Sequence, residues 1–152
     1  MKITHDLVSL VDDLAAHWTE PVLEILKSSG IRSISVDIEI EAWRTLKRIL
    51  RSQFRWQRAF RYSTLVSLGM VMQDTIREAV LILARQFDPG RVSSQLEGQV
   101  RQWAGERRST AAERRVFAEI VRQPSLRAAF KPPSRTDFTP RLQVSPTLAI
   151  IE

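Results

Sequence analysis

The chain contains no cysteine, and that single absence removes disulfides, thiolate catalysis and cysteine-ligated metal sites together. Histidine is nearly missing as well, with His5 and His17 the two present. There is no glycine-rich phosphate loop, no G-x-S-x-G and no metal-ligand motif, so the common sequence signatures of catalysis are not written here. Long hydrophobic runs are also lacking. The most apolar stretch, Leu65 to Phe87, is interrupted by Gln73, Asp74, Arg77 and Glu78, which a membrane span does not tolerate well. The opening Met1-Lys2-Ile3-Thr4-His5-Asp6 lacks the basic-then-apolar pattern of a signal peptide. The expectation is a cytoplasmic protein that does not enter a membrane. At 152 residues it is long enough to bury one core without staples.

A further absence is local. From Arg44 to Arg61 there is no acidic residue, while Arg44, Lys47, Arg48, Arg51, Arg55, Arg58 and Arg61 supply seven basic ones. At about 100° per residue the first six of these fall within an arc of roughly 100° on a helix. The opposite arc holds Trp43, Leu46, Ile49, Leu50, Gln53, Gln57 and Phe60, the apolar face with which a helix docks on a bundle. The total charge of +6 is uneven: residues 1–43 carry three basic and eight acidic side chains, and residues 91–152 carry eleven and six. Arginine accounts for nineteen of the twenty-three basic residues. It favours bidentate phosphate and carboxylate contacts, although the same bias follows from a GC-rich genome.

Hydrophobic periodicity along the chain is mostly helical. Thr4 is placed to cap a first helix through Leu7, Leu10, Val11, Leu14 and Trp18, and Thr19-Glu20-Pro21 reads as a re-start with Thr19 as cap. Gly30 is a stop signal. Ile34, Val36, Ile38 and Ile40 alternate with polar residues in a strand-like period, but a lone strand lacks a partner. Asp37, Glu39 and Glu41 suit the first turn of a helix, so helix entry is expected. The basic helix runs to about Arg61, with a break at Tyr62-Ser63-Thr64. A central helix then sets Leu65, Leu68, Met72, Ile76, Ala79, Val80, Leu83 and Phe87 on one side and ends at Asp88-Pro89-Gly90. Ser94-x-x-Glu97 and Thr110-x-x-Glu113 read as capping boxes. The first opens onto Leu96, Val100 and Trp103, the second onto Val116, Phe117, Ile120 and Val121. Pro124-Ser125 starts one more turn, and residues 131–152 hold four prolines and read as an extended, flexible arm.

Other constellations have ordinary explanations. Asp13, His17 and Glu20 share a helix face and have metal-ligand chemistry, but they suit a surface cluster equally. Asp74 and Glu78 with Arg77 between them form a carboxylate pair of the kind any exposed helix face shows. Phe54 and Trp56 flank the basic stripe, as base-stacking platforms or as core-edge residues. A helix-turn-helix around Arg107 to Arg122 would put Arg114 and Arg115 on its second helix, without a well-placed turn glycine. A basic amphipathic helix also suits a membrane surface or a peptide-binding groove.

The segment Trp43 to Glu97 resembles the helical core of HEPN-type domains, in particular those of bacterial abortive-infection defence. The residues that carry the likeness are Trp43 early in a long helix, the ending Leu83-Ala84-Arg85-Gln86-Phe87-Asp88, and the serines Ser93 and Ser94 in the following loop. The resemblance implies an all-α fold. Many such domains are RNases that use an arginine and a histidine separated by four to six residues on a late helix, paired across a homodimer. Both histidines here precede the first arginine, so that motif is absent, and the resemblance implies a non-nuclease member or partner subunit. Arg85 and Asp88 match the recognisable pattern and are expected to form a helix-end ion pair.

The expected architecture is an all-α bundle of four to six helices over residues 1–130, with a proline-rich tail over 131–152. The expected function is non-enzymatic binding of RNA or DNA, within a bacterial or mobile-element defence or regulatory assembly. Arg44, Lys47, Arg48, Arg51, Arg55 and Arg58 would meet phosphates, with Arg135 and Arg141 assisting from the tail. The alternative partner is an acidic protein surface, as in a homodimer or complex subunit. No cofactor and no metal are expected.

Overall fold

The computed structural model describes residues 7–31, 36–55 and 64–122, with the side chains of Val36, Arg55, Thr64 and Leu65 left aside. The described residues form five α-helices and no strand: α1 (Leu7–Ser28), α2 (Val36–Arg55), α3 (Thr64–Phe87), α4 (Ser94–Glu106) and α5 (Ala111–Val121). A single 3-10 turn, Pro89–Arg91, follows α3. The all-α bundle is therefore what the periodicity predicts. α1 packs against α2, α3 and α5, and α3 packs against α2, α4 and α5. One contiguous core results, built around Trp18 and Leu14 of α1, Leu46 and Phe54 of α2, Ile76 and Leu83 of α3, Val100 of α4 and Phe117 of α5. No helix among the described residues is long and apolar enough to cross a membrane.

The expected re-start at Thr19 does not occur. α1 is one helix with Pro21 inside it, because the buried stripe Leu10, Leu14, Trp18, Val22, Ile25 stays in phase across the proline. Thr19 is not a cap, since its Oγ1 donates back to the carbonyl of Ala15 at 3.0 Å, as threonines inside helices do. The stop comes where Gly30 predicts it. Gly30 has φ of 85°, its N–H donates to Lys27 at 3.0 Å, and the N–H of Ile31 donates to Leu26 at 3.1 Å. These two bonds are the Schellman closure, completed by burial of both Ile31 and Leu26. A Cβ at position 30 would also stand 2.9 Å from Cζ of Arg91, the movable end of an exposed side chain, so it is the positive φ that calls for glycine there.

Val36 to Glu41 belongs to α2, as helix entry predicts. Ile38 is fully buried while Ile40 is 41 % exposed, whereas a strand with one buried face would bury both. Leu46, Ile49, Leu50 and Gln53 are buried as the apolar arc requires. Gln57, Phe60, the break at Tyr62-Ser63 and the proposed tail lie outside the described residues. The cap of α4 is Ser93, one residue earlier than expected, with its side chain accepting from the Leu96 N–H. The capping box of α5 forms as predicted between Thr110 and Glu113.

Candidate functional site

The basic stripe is a helix face. Arg44 and Arg48 are exposed, and Lys47 and Arg51 are half-buried beside them. Each of these side chains has its own setting. Arg44 reaches Glu41 one turn back at 3.4 Å, and the ammonium of Lys47 sits 3.5 Å from the centre of the Trp43 ring, a cation–π placement. Arg51 reaches across to Asp12 of α1 at 3.5 Å. The guanidinium of Arg48 has no ion pair or hydrogen bond among the described residues. Trp43 fixes the inner border of this face, its indole N–H donating to the Asp12 carbonyl at 3.2 Å. One acidic residue of α1 therefore faces two residues of α2.

Arg44, Lys47, Arg48 and Arg51 are thus brought together on one side of α2. Arg55 closes the helix by its backbone, and Arg58, Arg61, Arg135 and Arg141 lie outside the described residues. Phe54 does not flank the stripe as a stacking platform. It is fully buried with its ring centre 6.0 Å from that of Phe117 of α5. Trp56 is not among the described residues.

The remaining candidates are reassigned or stay ordinary. Arg85 and Asp88 do not pair: Arg85 meets Glu97 of α4 at 3.7 Å, and Asp88 meets Arg91 at 3.7 Å. Asp88 stays at the end of α3, its N–H donating to the Ala84 carbonyl at 2.8 Å, and the turn that starts at Pro89 brings Arg91 back to it, with the Arg91 N–H donating to the Asp88 carbonyl at 3.0 Å. His17 approaches Asp13 at 4.0 Å, and no group of three His, Asp or Glu suited to a metal exists among the described residues. Asp74 pairs with Arg77 at 3.6 Å.

Two features have no signature in the sequence. The first is the pair Arg107–Glu113. Glu113 is 1 % exposed and takes both guanidinium nitrogens of Arg107, at 2.9 and 2.6 Å. Burial pushes its carboxyl up, but Arg107, the Trp18 indole and the Thr110 N–H outweigh this and hold it below the usual glutamate value of 4.5. The indole N–H acts here without a well-formed hydrogen bond. The second is a cleft of about 610 Å³ between α3 and the connection Arg107–Thr110 that joins α4 to α5. Gly69, Met72, Gly105, Arg107, Arg108 and Arg114 are among its lining residues. No family model, curated protein or solved structure matches the chain, and the chemistry of these surfaces is what speaks to function.

Proposed function

We propose that this is a non-enzymatic helical protein that binds RNA or DNA through the exposed face of α2. The observation that supports this reading is the grouping of Arg44, Lys47, Arg48 and Arg51 on one side of a helix whose other side is buried in the core. Like charges stacked at i, i+4 destabilise a helix, and a polyanion relieves that repulsion while gaining phosphate contacts. Arg55 and Arg58 continue the stripe in sequence, and Arg135 and Arg141 add cationic groups from the C-terminal segment. The HEPN likeness belongs to the same proposal. Without the arginine-to-histidine motif, the chain is a binding subunit of a bacterial or mobile-element defence or regulatory assembly and not its nuclease.

Six phosphate contacts make affinity for single strands or B-DNA fall with salt, with a log–log slope of about −4 to −5. Arg44→Glu with Arg48→Glu changes two exposed positions, leaves the Arg51–Asp12 pair intact, and is expected to shrink that slope by about 2 with the melting temperature nearly unchanged. Absence of binding to any polynucleotide at low salt overturns the reading.

The second reading, an acidic protein surface, is favoured by the pairs Arg51–Asp12 and Arg44–Glu41, in which carboxylates of this chain already meet the stripe. A homodimer of this kind would dissociate at high salt in sedimentation experiments, and the Arg44→Glu, Arg48→Glu variant would be monomeric at low salt.

A further inference from the structure

The cleft beside the α4–α5 connection lies outside the α2 face and has a chemistry of its own. Its positive charge comes from side chains, because the capping box of Thr110 and Glu113 already closes the N-terminus of α5. Arg107 is neutralised by Glu113 and held still by it, with a further contact from its Nη1 to Met72 Sδ at 3.0 Å. Arg108 is exposed, and its guanidinium has no partner among the described residues. Arg114 donates to the carbonyl of Ser109 at 2.9 Å and to its hydroxyl at 3.4 Å, two neutral oxygens that fix the side chain and leave its charge unbalanced. Glu106 is the acid on the rim, and Gln102 donates to its carboxylate at 3.2 Å.

The apolar part of the cleft is equally particular. Met72 is buried and contributes its thioether side. Gly69 of α3 and Gly105 of α4 both line the space, and a Cβ at either would meet nothing within 4 Å. Neither glycine has a positive φ, so the backbone does not demand them, yet each weakens its helix by about 0.8–1 kcal/mol relative to alanine. Each leaves its part of the cleft wall without a side chain. Its volume of about 610 Å³ falls within the range of roughly 300–1,000 Å³ that small-molecule sites occupy.

We propose that this cleft is a nucleotide site, in which Arg108 and Arg114 hold a phosphate monoester and the part lined by Gly69, Met72 and Gly105 takes the flat base. The shared chemistry covers a free mononucleotide and the phosphorylated end of a strand. It does not depend on the α2 face.

Calorimetric titration of the full chain with AMP, adenosine and inorganic phosphate tests the assignment. AMP is expected to bind saturably, and adenosine or phosphate alone about tenfold more weakly or worse, since each keeps half of the contacts. Arg108→Ala with Arg114→Ala is expected to weaken AMP binding at least about tenfold. Gly69→Leu, which adds a side chain to the cleft wall at a position where a Cβ meets nothing within 4 Å, should lose AMP while melting no lower than the parent. Arg48→Glu on α2 should leave AMP affinity within about twofold, which separates this site from the polynucleotide face. A 5′-phosphorylated oligonucleotide that competes with AMP when its 5′-hydroxyl form does not assigns the site to strand ends, and failure to compete assigns it to free nucleotides. No saturable AMP binding overturns the proposal. So does equal affinity for AMP and phosphate, the mark of an adventitious ion only, or undiminished AMP binding in the double arginine variant.

Discussion

Glu113 performs two tasks with one carboxylate. Its Oε1 accepts from the Thr110 N–H at 3.3 Å, closing the cap of α5, and from Arg107 at 2.9 Å, while Oε2 takes the second Arg107 nitrogen at 2.6 Å. Glu113→Gln separates the two, because glutamine serves in a capping box as well as glutamate does. The substitution leaves the Arg107 charge, itself about four-fifths buried, without its counter-charge, and is expected to cost about 2–4 kcal/mol in urea unfolding at neutral pH. The pH dependence has a definite sign. A carboxyl held below 4.5 in the folded chain contributes stability above the unfolded value, and that contribution is lost as pH falls through the lower folded value. Acid unfolding of the parent should therefore steepen below about pH 4.5, the usual glutamate value, and the Gln variant should show a shallower profile over the same range. An unchanged profile would mean that the pair does not set the acid limit.

At the scale of the element, α1 shows where local signals lose to packing. Thr19-Glu20-Pro21 has the chemistry of a helix start, yet Trp18, Val22, Ile25 and Leu26 are all buried, and only an uninterrupted helix presents them to one core. Pro21 leaves the His17 carbonyl without its i+4 donor, a loss that interior prolines bring with them. Pro21→Ala restores that donor and should raise stability by about 1–3 kcal/mol, read as an increase in melting temperature. Elsewhere the local signals sufficed: the Gly30 stop, the Thr110–Glu113 box and the buried side of α3 were legible because each is a short-range pattern. Ser93 displaced Ser94 as cap by a single residue, a choice between two neighbouring hydroxyls that composition does not make. The face of α2 was legible from spacing alone. Its meeting with Asp12 was not, and neither was Arg107 reaching Glu113 across a non-helical turn. The cleft was illegible for the same reason, since Gly69 and Gly105 come to line one space only when α3 and α4 pack.

For the molecule as a whole, the contiguous core makes α5 part of the same cooperative unit as the long helices, although α5 is the shortest of them. Phe117 is fully buried and its ring meets Phe54 of α2; α5 also packs on α1 and α3. Short helices are marginal in water by themselves, so α5 holds its form by this docking. Phe117→Ala should cost about 3–5 kcal/mol and Ile76→Ala, in the middle of α3, about 2–5 kcal/mol. Arg115→Ala, at an exposed position of α5, should stay within about 0.5 kcal/mol. Both core variants should lower a single transition, seen alike by far-ultraviolet circular dichroism and tryptophan fluorescence. Amide exchange gives the sharper measurement. If the core is one unit, the amides inside α5 exchange with a free energy close to that of α3, and Phe117→Ala lowers both by the same amount. If α5 opens alone, its amides exchange early in the parent, Phe117→Ala leaves α3 protection where it was, and the cleft at the α4–α5 connection would lose the rigid wall on which nucleotide binding depends.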